Sequence, residues 1–178
     1  MLIFDLDDWG FDHDCRLELE KLKEINPKFK VTLFTIPSKT TIEMLKWADD
    51  NSYWVEIVQH GWDHHSNYEC ETWTYVETLK YLAECAPYFR VKGFKAPGWQ
   101  ISDDCLQALR DMGYWVADQE YNDSRRPLDL KTYKVGPNSY HGHTWDCGCD
   151  NGINEDWDNI VSRVKNETDF KFVSEVVR

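Results

Sequence analysis

Short apolar runs alternate with segments of helical periodicity along the whole chain. Runs rich in β-branched and aromatic residues predict strands over residues 2–6, 30–36, 53–58, 91–94, 114–117, 132–135, 139–144 and 170–176. Apolar residues three or four positions apart predict helices over residues 15–25, 41–49, 71–85, 102–113 and 155–165. Because strands and helices alternate, the pattern favours an α/β fold with a mostly parallel sheet.

The sequence contains no internal repeat, low-complexity tract or linker, so residues 1–178 are expected to form a single domain. This length is short for a complete eight-fold (β/α) barrel. The net charge of −12 argues against binding to a nucleic-acid backbone. No apolar run approaches the roughly 18 residues of a membrane span. We therefore expect a protein that binds neither nucleic acid nor membrane.

The N-terminus predicts a cytoplasmic protein whose cysteines are reduced. The opening MLIFDLDD lacks the basic start and the long apolar stretch of a secretory signal. Without such a signal, the six cysteines are expected to be reduced thiols. Cys147 and Cys149 form one close pair, but a zinc ribbon needs a second pair at ligand spacing, which the sequence does not contain.

Polar side chains cluster where the predicted strands end. Parallel sheets and (β/α) barrels build their active sites at the carboxyl ends of strands. Polar side chains occur at five separate strand ends here, which predicts an active site at this edge of the sheet. The residues concerned are Asp7 and Asp8, His60 and His64, the segment 95–99, Asp118, and His143.

The spacing of His60 and His64 predicts a metal site. Residues four positions apart lie on one face of a helical turn, where two imidazoles can bind the same ion. A catalytic zinc site usually takes three protein ligands and keeps one position for water, so a carboxylate is needed from elsewhere. Asp7 and Asp8 supply two candidates, one as a ligand and the other as a base that accepts a proton from the bound water.

The segment 140–144 adds imidazoles at another predicted strand end. Either His141 or His143 could protonate a departing amine. The residues alone leave the choice between the two open.

These motifs resemble those of the polysaccharide deacetylases with the NodB-homology fold, in order and across nearly the whole chain. Leu6 to Trp9 resembles the first motif, which implies that Asp7 is the catalytic base and Asp8 a metal ligand. The segment 60–64 resembles the second motif, which supplies the metal ligands His60 and His64.

The third motif is matched with departures, by the segment 94–99. Lys95 stands where the family usually has arginine, and Gly98 stands where it has an aromatic residue. Lysine keeps a cation beside Asp7 but cannot hold a carboxylate in bidentate fashion. The resemblance gives Lys95, Pro97 and Trp99 supporting roles around the base.

The fourth and fifth motifs are matched less fully. Asp118 falls at the fourth motif, but Tyr121 and Asn122 replace its second aspartate and its tryptophan. His143 resembles the general acid of the fifth motif, with His141 in place of an apolar residue.

The resemblance implies a distorted, incomplete (β/α) barrel that hydrolyses an N-acetyl or similar acyl amide of an amino sugar or polysaccharide. Metal-bound water is then the nucleophile, Asp7 the base and His143 the acid. Zinc is the first expectation for the ion, and cobalt, nickel or manganese suit the same ligands. Tryptophans close to the motifs are candidate stacking surfaces for sugar rings, and they are Trp9, Trp62, Trp99 and Trp145.

Two alternatives stay open. The opening also resembles haloacid-dehalogenase-like phosphatases, in which Asp5 would be the nucleophile and Asp7 its acid/base partner, with Thr35 in the second motif. That interpretation leaves His60, His64 and the later motifs without a role. The other alternative is a glycan-binding relative of the deacetylases that has lost catalysis.

Overall fold

A parallel sheet dominates the computed structural model, which describes residues 1–117, 129–146, 148 and 151–177. Within these residues the strands follow the order β6-β5-β4-β3-β2-β1-β7, and β8 pairs with β1. Every pairing is parallel. The strands are β1 (Leu2–Trp9), β2 (Val31–Thr35), β3 (Val55–His60), β4 (Gly93–Lys95), β5 (Trp115–Ala117), β6 (Thr132–Tyr133), β7 (Ser139–His143) and β8 (Phe170–Lys171).

Helices cover one face of this sheet. They are α1 (Arg16–Ile25), α2 (Ile42–Asp50), α3 (Tyr75–Cys85), α4 (Asp103–Asp111) and α5 (Trp157–Asn166). Phe4 and Leu6 of β1 pack into one cluster with apolar side chains of α1, α2 and α5, while Phe94 and Val116 pack with α3 and α4. Among the described residues, no helix has the length and apolar character needed to cross a bilayer.

The sheet curls, so its second face becomes an interior. Alternate residues of a strand point to opposite faces, and Ile3 of β1 packs with Phe34, Trp115 and Tyr133 rather than with the helices. Strands β6 and β7 lie at opposite ends of the strand order, yet the hydroxyl of Tyr133 lies 3.1 Å from Oγ of Ser139. The predicted distorted, incomplete barrel is confirmed.

The two largest corrections of predicted boundaries concern α3 and the closing strand. Helix α3 begins at Tyr75 rather than near Glu71, because Thr74 and Glu77 form a capping box that starts it there. The predicted closing strand ends at Lys171, and residues Val173–Glu175 form a turn of 3-10 helix.

That 3-10 turn is attached to the sheet through a buried carboxylate. Glu56 of β3 accepts hydrogen bonds from the hydroxyl of Thr32 at 2.9 Å and from the backbone N–H of Ser174 at 3.2 Å. Its other oxygen accepts a bond from the Ser174 hydroxyl. Burial raises the pKa of Glu56, although these hydrogen bonds oppose the shift.

Candidate active site

A local irregularity at the end of β1 turns two successive carboxylates to the same side. In a regular strand, Asp8 would point away from Asp7 towards the helices. Instead the register shifts between Leu6 and Trp9, and Asp8 adopts the left-handed conformation with φ 70°. Bulges of this kind redirect side chains next to functional sites.

The redirected carboxylate of Asp8 meets two imidazoles. Its Oδ1 lies 3.2 Å from Nε2 of His60 and 3.2 Å from Nε2 of His64. Two ligand atoms that each lie about 2.1 Å from an ion in tetrahedral geometry are about 3.4 Å apart. Among the described residues, buried Oδ1 of Asp8 has no hydrogen-bond partner of acceptable geometry. The spacing and this unpartnered oxygen fit a divalent cation held between the three side chains.

The neighbouring strand β4 orients one of these imidazoles. Nδ1 of His60 lies 3.0 Å from the carbonyl oxygen of Lys95. A carbonyl only accepts, so in neutral His60 the hydrogen sits on Nδ1 and the Nε2 lone pair faces Asp8. Metal-binding histidines commonly use such a partner to fix their tautomer.

The predicted helical turn that carries the two histidines is not present. His60 ends strand β3, Gly61 leaves it with φ 59°, and His64 lies in a loop with φ 50°. Buried Glu69 orders this loop, because its two oxygens accept the backbone N–H groups of Trp62 and His64, each at 2.5 Å. The two histidines therefore converge through a loop folded around a carboxylate.

The third-motif segment packs against this loop. Pro97 lies against Gly61, and a Cβ at Gly98 would collide with the backbone carbonyl of Asn67. Gly98 also has φ 57°, in the region that favours glycine. The close approach of the two loops accounts for glycine at a position where the resemblance predicts an aromatic residue.

Asp7 is paired with a buried ammonium group. Nζ of Lys95 donates to Oδ1 of Asp7 at 2.6 Å, and both side chains are almost entirely buried. Burial alone would raise the pKa of Asp7, but Lys95 and then His141 hold it below its ordinary value. Asp7 is thus kept ionised beside the candidate metal site.

A second buried carboxylate, that of Asp5, lies two residues before Asp7 on β1. Asp5 is fully buried; it accepts a hydrogen bond from the Tyr133 hydroxyl at 2.9 Å and lies 2.6 Å from Nδ1 of His141. Nε2 of His141 lies 3.8 Å from Oδ2 of Asp7. Asp5 is therefore enclosed, and nothing in its position supports the phosphatase alternative, which needs it as an accessible nucleophile.

His143 lies two residues closer than His141 to the carboxyl end of β7, at the mouth of the barrel where the strands end. In the β1–β7 pairing, Asp7 is opposite His143 and Asp5 is opposite His141. Nδ1 of His143 lies 3.1 Å from Oδ1 of Asn151. An amide oxygen accepts, so Nδ1 carries the hydrogen in neutral His143.

The four tryptophans differ in accessibility. Trp9 is fully buried against Trp47 in the core, so as a sugar-stacking surface it is corrected to a packing residue. Trp62 is half-buried and stacks on Tyr81, while Trp99 covers the Lys95 ammonium at 4.0 Å. Trp145 is 38% exposed, and its Nε1 donates to Oδ2 of Asp8 at 2.9 Å.

Some site residues escaped prediction, and the three fourth-motif positions lie outside the described residues. Glu69 and Asn151 carry no recognisable motif, so only their three-dimensional contacts identify them. Asp118, Tyr121 and Asn122, the fourth-motif positions, fall outside the residues that the structure describes.

Among the described residues, two other groups of side chains have ligand atoms at cation-binding spacing. Asp5, Asp7 and His141 form one, but the Lys95 ammonium already occupies an oxygen of Asp7. Asp63, His65 and Glu69 form the other, but both oxygens of Glu69 accept backbone N–H groups.

Known proteins with similar structures are family 4 carbohydrate esterases. One is a peptidoglycan N-acetylglucosamine deacetylase, with TM-score 0.64, 14% identity, and coverage of 98% of this chain and 86% of that chain. Another is an acetyl xylan esterase from Clostridium thermocellum with a cobalt ion, with TM-score 0.63, 12% identity, and coverage of 98% and 88%. A third is a family 4 pseudoenzyme from Bacillus anthracis, with TM-score 0.66, 15% identity, and coverage of 98% and 64%.

No protein-family model and no curated protein sequence matches the chain. The structural matches show that it has the fold of the family 4 carbohydrate esterases. The resemblance to polysaccharide deacetylases, drawn from the motifs, is confirmed at the level of the fold.

Proposed function

We propose that this protein is a metal-dependent hydrolase that removes an N-acetyl or similar acyl group from an amino sugar or polysaccharide. One observation carries the proposal. Oδ1 of Asp8 and the Nε2 atoms of His60 and His64 converge at ligand spacing, directly beside the ionised carboxylate of Asp7. A base next to an open metal position is the arrangement that amide hydrolysis requires.

Asp8, His60 and His64 hold a divalent ion in this proposal. Zinc is the first candidate, and cobalt, nickel and manganese suit the same two imidazoles and one carboxylate. When bound, such an ion lowers the pKa of water and polarises the amide carbonyl.

Asp7 and His143 move the protons. Because Lys95 occupies Oδ1 of Asp7, Oδ2 is the atom that accepts the proton of the attacking water. His143 directs Nε2 away from Asn151, and in its protonated form it donates the Nε2 proton to the departing amine as the C–N bond breaks. The products are a free carboxylic acid and an amino sugar.

The rim of the site and the proteins of similar fold support a glycan substrate. A sugar ring is too large for the enclosed layer of Asp5 and Lys95, so it stays at the rim near exposed Trp145. The solved structures of similar fold include a peptidoglycan N-acetylglucosamine deacetylase and an acetyl xylan esterase. We propose an N-acylated glycan, with acetate esters as the comparison substrates.

Metal analysis combined with an acetate-release screen tests the proposal. Wild-type protein should bind one equivalent of metal and release acetate from N-acetylglucosamine oligomers or peptidoglycan fragments. His60→Ala and His64→Ala should lose the ion. His65→Ala is the matched control, because this exposed neighbour pairs with Asp63 rather than Asp8.

Two outcomes would redirect the assignment. Stoichiometric metal and full activity in His60→Ala or His64→Ala would refute the metal site. Glycan binding without release of acetate from any substrate would favour a non-catalytic relative, as in the pseudoenzyme of the same fold.

A further inference from the structure

The indole of Trp145 is bonded directly to the candidate metal ligand. Its Nε1 donates to Oδ2 of Asp8 at 2.9 Å, while Oδ1 of the same carboxylate faces His60 and His64. Trp145 follows strand β7, and Asp8 is the penultimate residue of β1, so the bond joins the ends of two adjacent strands. The two oxygens of Asp8 are thereby given different partners.

We propose that Trp145 is a positioning residue for the metal ligand Asp8. Occupation of Oδ2 by the indole N–H leaves Oδ1 as the one oxygen available to the ion, which makes Asp8 a monodentate ligand. The bond also opposes rotation of a carboxylate whose backbone is already in the left-handed region. This inference rests on the metal site of the proposed function.

The indole is itself held in place on one face. The imidazole of His13 stacks on it with a centroid distance of 5.0 Å and an interplanar angle of 16°. The backbone N–H of His13 donates to the backbone carbonyl of Gly10 at 3.0 Å, which fixes the loop that carries the imidazole. The chain before the indole is fixed too, since Thr144 donates its N–H to the Asp7 carbonyl at 3.0 Å.

The energetic consequence is a direct effect on metal affinity. Side chains that hydrogen-bond to metal ligands typically contribute about 10- to 100-fold in affinity or activity. Without the indole N–H, Asp8 is free to rotate and must be ordered when the ion binds. Trp145→Phe should therefore weaken metal binding by about 10- to 100-fold while the ligands themselves remain.

Calorimetric titration of metal-free protein with Zn²⁺ and with Co²⁺ tests this. Trp145→Phe keeps a ring in place of the indole and removes only the N–H donor. Trp47→Phe is the matched control, because its Nε1 also donates to a carboxylate, that of Glu20 at 2.8 Å, which is not a proposed metal ligand. We expect the affinity loss in Trp145→Phe and wild-type affinity in Trp47→Phe.

A second variant separates the indole N–H from its stacking partner. His13→Ala removes the stacking partner but leaves the indole N–H, and we expect it to weaken metal binding less than Trp145→Phe does. Circular dichroism of each variant checks the fold. Equal affinities of wild type and Trp145→Phe, or equal losses in Trp145→Phe and Trp47→Phe, overturn the inference. A wild-type protein that binds no metal overturns the proposed function as well.

Discussion

Lys95 stands where the polysaccharide deacetylases usually have arginine, and this difference changes how the carboxylate of the base, Asp7, is held. The ammonium contacts one oxygen of Asp7 at 2.6 Å and packs over the rings of Trp99 and Phe34. Arginine would offer a planar fork that can engage both oxygens. A point charge holds Oδ1 and leaves Oδ2 to accept a proton, so lysine is compatible with a base at this position.

At the residue scale, Asp7→Asn and His143→Ala should each lose about 10²- to 10⁴-fold in turnover and keep the metal. A positioned acid or base contributes to the rate, whereas neither residue is a proposed ligand. Turnover and metal content of purified variants check this.

The pH profile separates the two roles. The wild-type rate should be bell-shaped, and His143→Ala should flatten the basic limb, which reports deprotonation of the acid. Because Lys95 and His141 keep the pKa of Asp7 low, the acid limb should lie well below neutral pH. An inactive His141→Ala beside a nearly normal His143→Ala would move the acid role to His141.

We expect Asp5→Asn to lower stability more than activity. Asp5 accepts from Tyr133 and pairs with His141 inside the barrel, so it does not reach a substrate. An amide that cannot satisfy both donors should cost about 1–3 kcal/mol of unfolding free energy, with metal retained and substantial activity left. Chemical denaturation and acetate release measure the two effects.

Loss of most activity in Asp5→Asn with the metal retained would instead make the Asp5–His141 pair part of catalysis. Magnesium-dependent phosphate release abolished by the same substitution would revive the phosphatase alternative.

At the element scale, the loop between β3 and α3 depends on Glu69. Its carboxylate accepts the N–H groups of Trp62 and His64, and one of these residues is a proposed ligand. Glu69→Gln replaces one accepting oxygen by a donor. We therefore expect the free energy of unfolding to fall by about 1–3 kcal/mol, and metal binding to weaken. Glu71→Gln is the control, because Glu71 is an exposed acid in the 3-10 turn Glu69–Glu71 that also contains Glu69. Equal metal affinities of both variants and wild type would refute this role.

The elements also show which features can be predicted from sequence. Strands β1, β2 and β3 were predicted because β-branched and aromatic runs have a local signature, and α3 was misplaced only at its start. The prediction of a helical turn from His60 to His64 is wrong, because an i, i+4 spacing does not distinguish a helix from a loop held by Glu69. Partners such as Asn151 for His143 arise from distant contacts that no local pattern encodes.

At the scale of the whole molecule, curling of the sheet creates the site. It brings Tyr133 of β6 to Asp5 of β1, and strand ends that are distant in sequence then share one mouth. The motif order predicted this assembly, because carboxyl ends of parallel strands meet at one edge. Unusual backbone conformations also fall in the motifs that form the site. Among the described non-glycine residues, the positive φ angles fall at Asp8, His64 and Trp99, each in a different motif.

The opposite end of the barrel gives the last prediction, a pH dependence of stability. Burial raises the pKa of Glu56 in the folded state above its unfolded value. The folded protein therefore binds this proton more tightly, so the stabilisation is present at low pH and is lost as pH rises through the raised pKa. Glu56→Gln stays neutral and can still bond to Thr32 and Ser174. It should exceed wild type in unfolding free energy at pH 8, with the difference shrinking towards pH 4.

Urea denaturation across this pH range measures the difference between the two proteins. Glu24→Gln, at an exposed position of α1, is the control and should show no such trend. If the advantage of Glu56→Gln were the same at every pH, Glu56 would not titrate with folding in this range. If Glu56→Gln were less stable than wild type at pH 8, the ionised carboxylate itself would hold residues 173–175 against the sheet, and its hydrogen bonds to Thr32 and Ser174 would outweigh the cost of burial.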